Sequence, residues 1–167
     1  MSHRLKNRGL MSSLIKFVYQ KNFKAIEHLI TDGVDVNSTD SDGRTALIHA
    51  VLDSEPNIEI VKLLLRLGIN VDHQDDGQHW SALHFSARDN HIDIVLALLK
   101  SGASIDLLDA FGNTPLWRAV MSYGGNSAVI EALLSYRANP EKENNSGVSP
   151  RVLAETMGKH ELLTLFQ

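Results

Sequence analysis

The chain has 167 residues, 43% hydrophobic and 22% charged, with sixteen basic residues against twenty acidic ones and no cysteine. That length supports one domain with a buried interior, and the missing cysteines exclude a disulfide framework, a thiol nucleophile and any thiolate-ligated zinc or iron–sulfur centre. A net charge of -4 counts against a general nucleic-acid binder, which needs a basic excess, and no apolar run approaches the roughly 20 residues that cross a bilayer.

The first 24 residues carry six bases (Arg4, Lys6, Arg8, Lys16, Lys21, Lys24) and no acid, so the rest of the chain holds all twenty acids against ten bases. The opening MSHRLKNRGLMSSLIKFVYQKNF lacks a small-residue cleavage site, and Lys16 and Gln20 break its apolar stretch. It reads as part of the domain, and the protein as cytoplasmic. Helical runs then recur. AIEHLITDG, IVKLLLRLG and IVLALLKSG end on Gly33, Gly68 and Gly102, spaced 35 and 34 apart, and VIEALLSYR puts Arg137 where a fourth glycine would fall. A glycine there suits a left-handed C-terminal cap. A second marker alternates with these runs: GRTALIHAV from Gly43, SALHFSA from Ser81, GNTPLWRAV from Gly112 and GVSPRVLAE from Gly147. Thr45, Ser81, Thr114 and Ser149 read as N-caps, and Pro115 and Pro150 as first helical residues. Short helices follow, with Ala50, Ala87, Ala119 and Ala154 allowing close approach, while Leu64/Leu65, Leu98/Leu99 and Leu133/Leu134 line the buried face of the second helices. Extended stretches rich in Asp, Asn and Gly turn the chain between units. The closing HELLTLFQ sets Leu162, Leu163, Leu165 and Phe166 against the preceding unit.

Self-similarity at this period marks a solenoid. Gly112, Thr114, Pro115 and Leu116, then Ser81, Ala82, Leu83 and His84, then Gly33, Asp35, Val36 and Asn37, and Gly68, Asn70, Val71 and Asp72 carry a resemblance to the ankyrin repeat. The resemblance implies an all-α solenoid of stacked helix–loop–helix units with short β-hairpin-like connecting loops and a concave surface. On this reading residues 1–167 form one domain. An atypical N-terminal unit covers about 10–34, three central repeats start near 43, 77 and 112, and a C-terminal capping unit covers about 147–167.

Departures from the repeat single out the candidate binding residues. Two-residue excesses lengthen the helix–helix loops around Glu55-Pro56-Asn57 and Tyr123-Gly124-Gly125, and a further two-residue excess between Gly77 and Ser81 introduces Gln78, His79 and Trp80. Trp80 is either an interface anchor or folds back over the stack; as an anchor, its replacement by alanine is expected to weaken a complex by about 2 kcal/mol with the fold intact. Trp117, at the motif position of His84, reads as a packing substitute. The turns carry Asp40, Asp42, Asp75, Asp76 and Asp109, which serve as turn formers or as a docking surface for a basic partner, and Phe111 stands at the third turn. In the resembled fold the varied position His49, Phe85 and Arg118, with Asp53, Arg88 and Met121 nearby, faces the concave surface as a recognition strip or is ordinary surface scatter.

Chemistry is not encoded in any recognisable motif. No nucleophile is paired with a base, and Gly124-Gly125 lacks the context of a phosphate loop. His73, Asp75, Asp76 and His79 share a loop without metal-ligand spacing, so no cofactor, metal site or catalytic residue is expected. The expected function is a non-catalytic module that binds another protein, with no nucleic acid and no membrane. The partner residues are Asp42, His49, Asp53, Asp75, Asp76, His79, Trp80, Phe85, Arg88, Phe111, Arg118 and Met121. Resemblance to short stand-alone bacterial ankyrin proteins implies a stoichiometric inhibitor or immunity protein. The rivals are an adaptor bridging two proteins and a small metal-dependent or catalytic protein using the 73–79 loop. A homo-oligomer through the atypical ends is a further option that the sequence does not indicate.

Overall fold

The computed structural model describes residues 13–167, so Arg4, Lys6 and Arg8 of the basic N-terminus lie outside it. Each apolar run becomes a short amphipathic helix, and the helices alternate in two roles. The first helices are α1 (residues 13–19), α3 (Ala46–Leu52), α5 (Ala82–Arg88), α7 (Pro115–Met121) and α9 (Pro150–Thr156). The second helices are α2 (Phe23–Thr31), α4 (Ile58–Arg66), α6 (Ile92–Lys100), α8 (Ala128–Ser135) and α10 (His160–Leu163), the last followed by a 3₁₀ turn, Thr164–Phe166. From α3 onward the first helices stack on one another in one row and α4, α6 and α8 in a parallel row. Among the described residues there is no strand, only the antiparallel bridges Thr39–Thr45 and Gln74–Ser81. The expected all-α solenoid with hairpin-like connections is the fold.

No helix this short is stable in water by itself. What fixes them is burial of one face. In α4, Ile60, Val61, Leu63 and Leu64 are buried, in α6 Ile94, Val95, Leu98 and Leu99, and in α8 Val129, Ile130 and Leu133. The i, i+3 and i+4 spacing aims these side chains at the neighbouring pairs, and full burial of each large one contributes about 1.5–3 kcal/mol. Ala50, Ala87, Ala119 and Ala154 are buried where the rows meet. At the C-terminus Leu162 and Phe166 are buried, and Leu163 and Leu165 pack against the same core.

The caps follow the sequence with one exception. Thr114 accepts from the Trp117 N–H and Ser149 from the Val152 N–H, each ahead of a proline at the helix start. The Ser81 N–H donates to His84 Nδ1 at 3.2 Å. Thr45 occupies the same place, but its hydroxyl is buried and bonds to nothing. At the other helix ends Gly33, Gly68 and Gly102 have φ of 90°, 85° and 88°, and Arg137 adopts the same left-handed conformation at 67°. Among the described residues no helix is long and apolar enough to cross a membrane.

Candidate functional site

The turns between units are built around one residue each, Asp40, Asp75, Asp109 and Asn144, spaced 35, 34 and 35 apart. A short side chain with an acceptor at that point can replace the missing backbone partners of a tight turn. Oδ1 of Asp40 accepts from the Asp42 and Arg44 N–H groups, both at 2.9 Å. Oδ1 of Asp109 accepts from Phe111 and Asn113, also at 2.9 Å. Oδ1 of Asn144 accepts from Ser146 at 2.9 Å and Val148 at 3.0 Å. In the second central turn, Oδ1 of Asp75 accepts from Gln78 at 3.2 Å and Trp80 at 2.9 Å. Neighbouring turns are joined by single backbone bonds: Asp76 N–H to Asp42, Ala110 N–H to Gln78 and Asn145 N–H to Phe111.

This register revises the second turn. Counted from Gly77, it has two extra residues; counted from Asp75, it has one. The reason is that Gly77 does not take the positive φ found at Gly43 and Gly112, whereas His79 does, at 53°. His79 therefore stands where those glycines stand, and Trp80 is the equivalent of Arg44, Asn113 and Val148, the last residue before the N-cap.

The second carboxylate oxygen divides the turns further. Asp40 Oδ2 meets His49 Nε2 at 2.8 Å, and the Tyr19 hydroxyl meets His49 Nδ1 at 2.9 Å, tying α1 to the first turn. Burial pushes the Asp40 carboxyl up, but the Arg44 N–H, His49 and the Asp42 N–H outweigh it and hold Asp40 below its ordinary range. Tyr19 is pushed up by its burial and by the Asp53 carboxylate, with a smaller contribution from Asp40. Asp109 Oδ2 meets Arg118 Nε at 2.9 Å and a second guanidinium nitrogen as well. Burial again raises this carboxyl, and Arg118 with the Asn113 and Phe111 N–H groups holds it low. In the second turn, Phe85 occupies the corresponding place and carries no charge. The nearest cation to Asp75 Oδ2 is Arg44 Nε, reaching from the preceding turn at 3.7 Å.

Trp80 is not an exposed anchor. It is 6% exposed, its ring stacked on His84 at 6.3 Å and tilted against Phe85 at 4.9 Å. Arg118 covers it at 4.3 Å and Arg88 at 5.2 Å. The indole folds back because its own N–H and C=O complete the turn on Asp75, which directs the side chain onto α5 rather than outward. Its Nε1 is buried without a partner. Beneath it, burial drives His84 down to about 4, partly offset by the Asn113 carbonyl and by Asp109. His84 is thus neutral and links its own N-cap to the Asn113 carbonyl at 3.3 Å.

The acids of the turns also separate. Asp75 and Asp109 are buried and Asp40 is half-buried, whereas Asp42 and Asp76 remain exposed. Asp53 is half-buried at the end of α3, where it accepts from the Glu55 N–H. His79 is exposed on the turn, Phe111 is 56% exposed and Met121 49% exposed. Of the expected binding residues, Asp75, Trp80, Phe85 and Arg88 are brought around one cavity of about 310 Å³, together with Arg44 and Gln78, while Arg118 lies over the Trp80 ring without lining that cavity. His49 belongs to the Tyr19–Asp40 relay instead. Arg44 is the residue missed in the sequence; aligned from the caps, it and Trp80 are the same position. In the 73–79 loop, His73 Nε2 donates to the Gly43 carbonyl at 2.7 Å, and among the described residues no group of His, Cys, Asp and Glu is arranged to hold a metal ion.

A family model described as ankyrin repeats, in three copies, matches residues 11–109 and 54–145. A putative ankyrin repeat protein of fowlpox virus is 28% identical over 161 residues, covering 92% of this chain and 46% of that protein. A glycerophosphocholine phosphodiesterase of Schizosaccharomyces pombe is 38% identical over 96 residues, which is 58% of this chain but 8% of that protein. A Notch-regulated ankyrin repeat-containing protein of Danio rerio is 43% identical over 65 residues, or 39% of this chain and 55% of that protein. The chain spans about half or less of the length of most of these relatives.

Proposed function

This chain belongs to the ankyrin-repeat family, a protein-interaction fold, and on that premise we propose that it is a non-catalytic module that binds one partner protein along the side where the turns meet the first helices. The observation that carries this reading is the set of unlike side chains left exposed there: Phe111 and Met121 are exposed apolar groups and His79 is exposed on the second central turn, whereas the shared position of His49, Phe85 and Arg118 is largely buried. Side chains that differ from unit to unit and remain exposed are where a partner is read. Exposed Asp42 and Asp76 at the turn tips suit basic groups on the partner's rim.

The finer reading is a cytoplasmic stoichiometric inhibitor of the immunity type, like short stand-alone bacterial ankyrin proteins. What supports it is the interaction fold itself, which acts by occupying a partner's surface. The test is capture of the partner from cells of the source organism, identification by mass spectrometry and reconstitution from pure components. A 1:1 complex in which Arg88→Glu and Met121→Asp each lower affinity at least tenfold, and in which the partner's own activity is suppressed, is expected. A complex that joins two proteins at separable surfaces instead identifies an adaptor.

A further inference from the structure

Resting on that binding reading, we propose that the cavity at the second central turn receives a lysine side chain of the partner, whose ammonium bonds the second carboxylate oxygen of Asp75. Each turn leaves one polar atom of its central side chain over once the turn N–H groups are satisfied. Asp40 fills it with His49 and Asp109 with Arg118, while Asn144 turns its amide onto Asn113 Oδ1 at 2.8 Å. Asp75 alone of the four has no hydrogen-bond donor on that atom, because Phe85 holds the position of His49 and Arg118. Arg44 stands nearest, 3.7 Å from Oδ2 and 3.6 Å from Asp42. It shares its charge between the two and hydrogen-bonds neither.

Asp75 is 4% exposed, but it lines the opening of about 310 Å³ together with Arg44, Gly77, Gln78 and Arg88. Gly77 keeps the way to Oδ2 clear, since a Cβ there would stand 3.9 Å from that oxygen. The surroundings favour a cation. Asp42, Asp75, Asp76 and Asp89 face only Arg44 and Arg88, and the Asp76 carboxylate lies against Gly43, next to Arg44. Arg88 is pinned on Asp89 by two bonds of 2.6 Å, so it walls the entry and keeps that carboxylate from competing for the guest. Gln78 brings an amide oxygen to the mouth. Oδ1 of Asp75 is already filled by the Gln78 and Trp80 N–H groups, which leaves one oxygen. A single acceptor suits the point charge of an ammonium better than the two-pronged fork of a guanidinium. The flexible four-carbon stem of a lysine carries that charge past the rim. Asp75 has already left water in the folded chain, so on docking the guest adds mainly its own desolvation.

The experiment uses the full chain labelled with ¹³C and ¹⁵N, read at the Asp75 carboxyl carbon and the Gln78 side-chain amide. The probes are an acetylated, amidated Ala-Lys-Ala peptide and its acetyl-lysine, arginine and glutamate counterparts. The Lys peptide is expected to shift both resonances saturably and to bind at least tenfold more tightly than each counterpart. Asp75→Asn, which keeps the turn acceptor, is expected to remove that preference while the rest of the spectrum stays in place. Gly77→Val, which covers Oδ2 without changing any charge, is expected to remove it too. Absence of a saturable shift, equally tight binding of any counterpart, or a preference that survives either substitution overturns the lysine receptor. In the reconstituted complex, Asp75→Asn is expected to lower affinity at least tenfold. Unchanged affinity there, in a complex still weakened by Met121→Asp, overturns this inference alone. A partner insensitive to both Met121→Asp and Arg88→Glu overturns the binding reading beneath it.

Discussion

The third central turn and the second are made from the same plan and differ in how they end. In the third, Asp109 gathers its turn N–H groups on one oxygen and Arg118 on the other, leaving a closed, charge-compensated knot. In the second, Asp75 gathers the turn but lacks the answering cation, because Phe85 stands in its place and Arg44 approaches from the neighbouring unit at 3.7 Å. One inserted residue and one aromatic substitution therefore turn a structural knot into an open turn whose aspartate keeps its second oxygen without a hydrogen-bond donor. In a repeat protein, a site can arise by leaving one unit's internal bonds unfinished.

The largest expected effect lies under that cavity. Trp80→Ala is expected to cost about 3–5 kcal/mol in urea denaturation, the range for removing a buried large aromatic, so it reports on stability before it reports on binding. A loss below about 1 kcal/mol would place the indole outside the core. The two aspartates should then differ. Asp109→Asn strands the Arg118 guanidinium and is expected to cost about 3 kcal/mol. Asp75→Asn retains the turn acceptor, as Asn144 does in the fourth turn, and should cost under about 1 kcal/mol. Equal losses for the two substitutions would remove the distinction between a closed and an open turn.

His84, which lies between these turns, gives the next effect. Its ordinary value is 6.5 and its folded value about 4. Between them the unfolded chain binds a proton that the folded chain excludes. Stability is thus intact above pH 6.5 and falls as the pH drops toward 4, by roughly 3 kcal/mol at about 1.4 kcal/mol per pKa unit. Below that, protonation of Asp40 and Asp109, both held low, adds a further loss. Denaturant midpoints from pH 7 to 4 measure this, and His84→Gln should flatten the window. The smallest effect is at a helix end: Arg137→Gly should stabilise the chain by about 1 kcal/mol, since a side chain in the left-handed conformation costs about that much, and a lower melting temperature would contradict it.

Much of this was legible in the sequence. The glycines at 33, 68 and 102 and the Arg137 that replaces a fourth announce helix ends through backbone sterics alone, and the N-cap residues at 81, 114 and 149 announce the starts. The second turn was harder to read, because Gly77 draws the register toward itself while the backbone gives the left-handed position to His79. The aspartates were visible as charges, but their 35-34-35 spacing with Asn144 is the sign of turn acceptors. Whether Trp80 points outward or inward depends on which N–H groups Asp75 gathers, a contact that no local propensity records. Arg44 was passed over because its role comes from the unit after its own.

Hydrogen–deuterium exchange of the chain with and without its purified partner tests the central claim most directly. New protection is expected in residues 40–53, 75–89 and 109–122, strongest around Arg44, Phe85 and Arg88, with the second helices α4, α6 and α8 unchanged. Protection confined to those second helices, with the turns and first helices exchanging as in the free chain, would contradict the account.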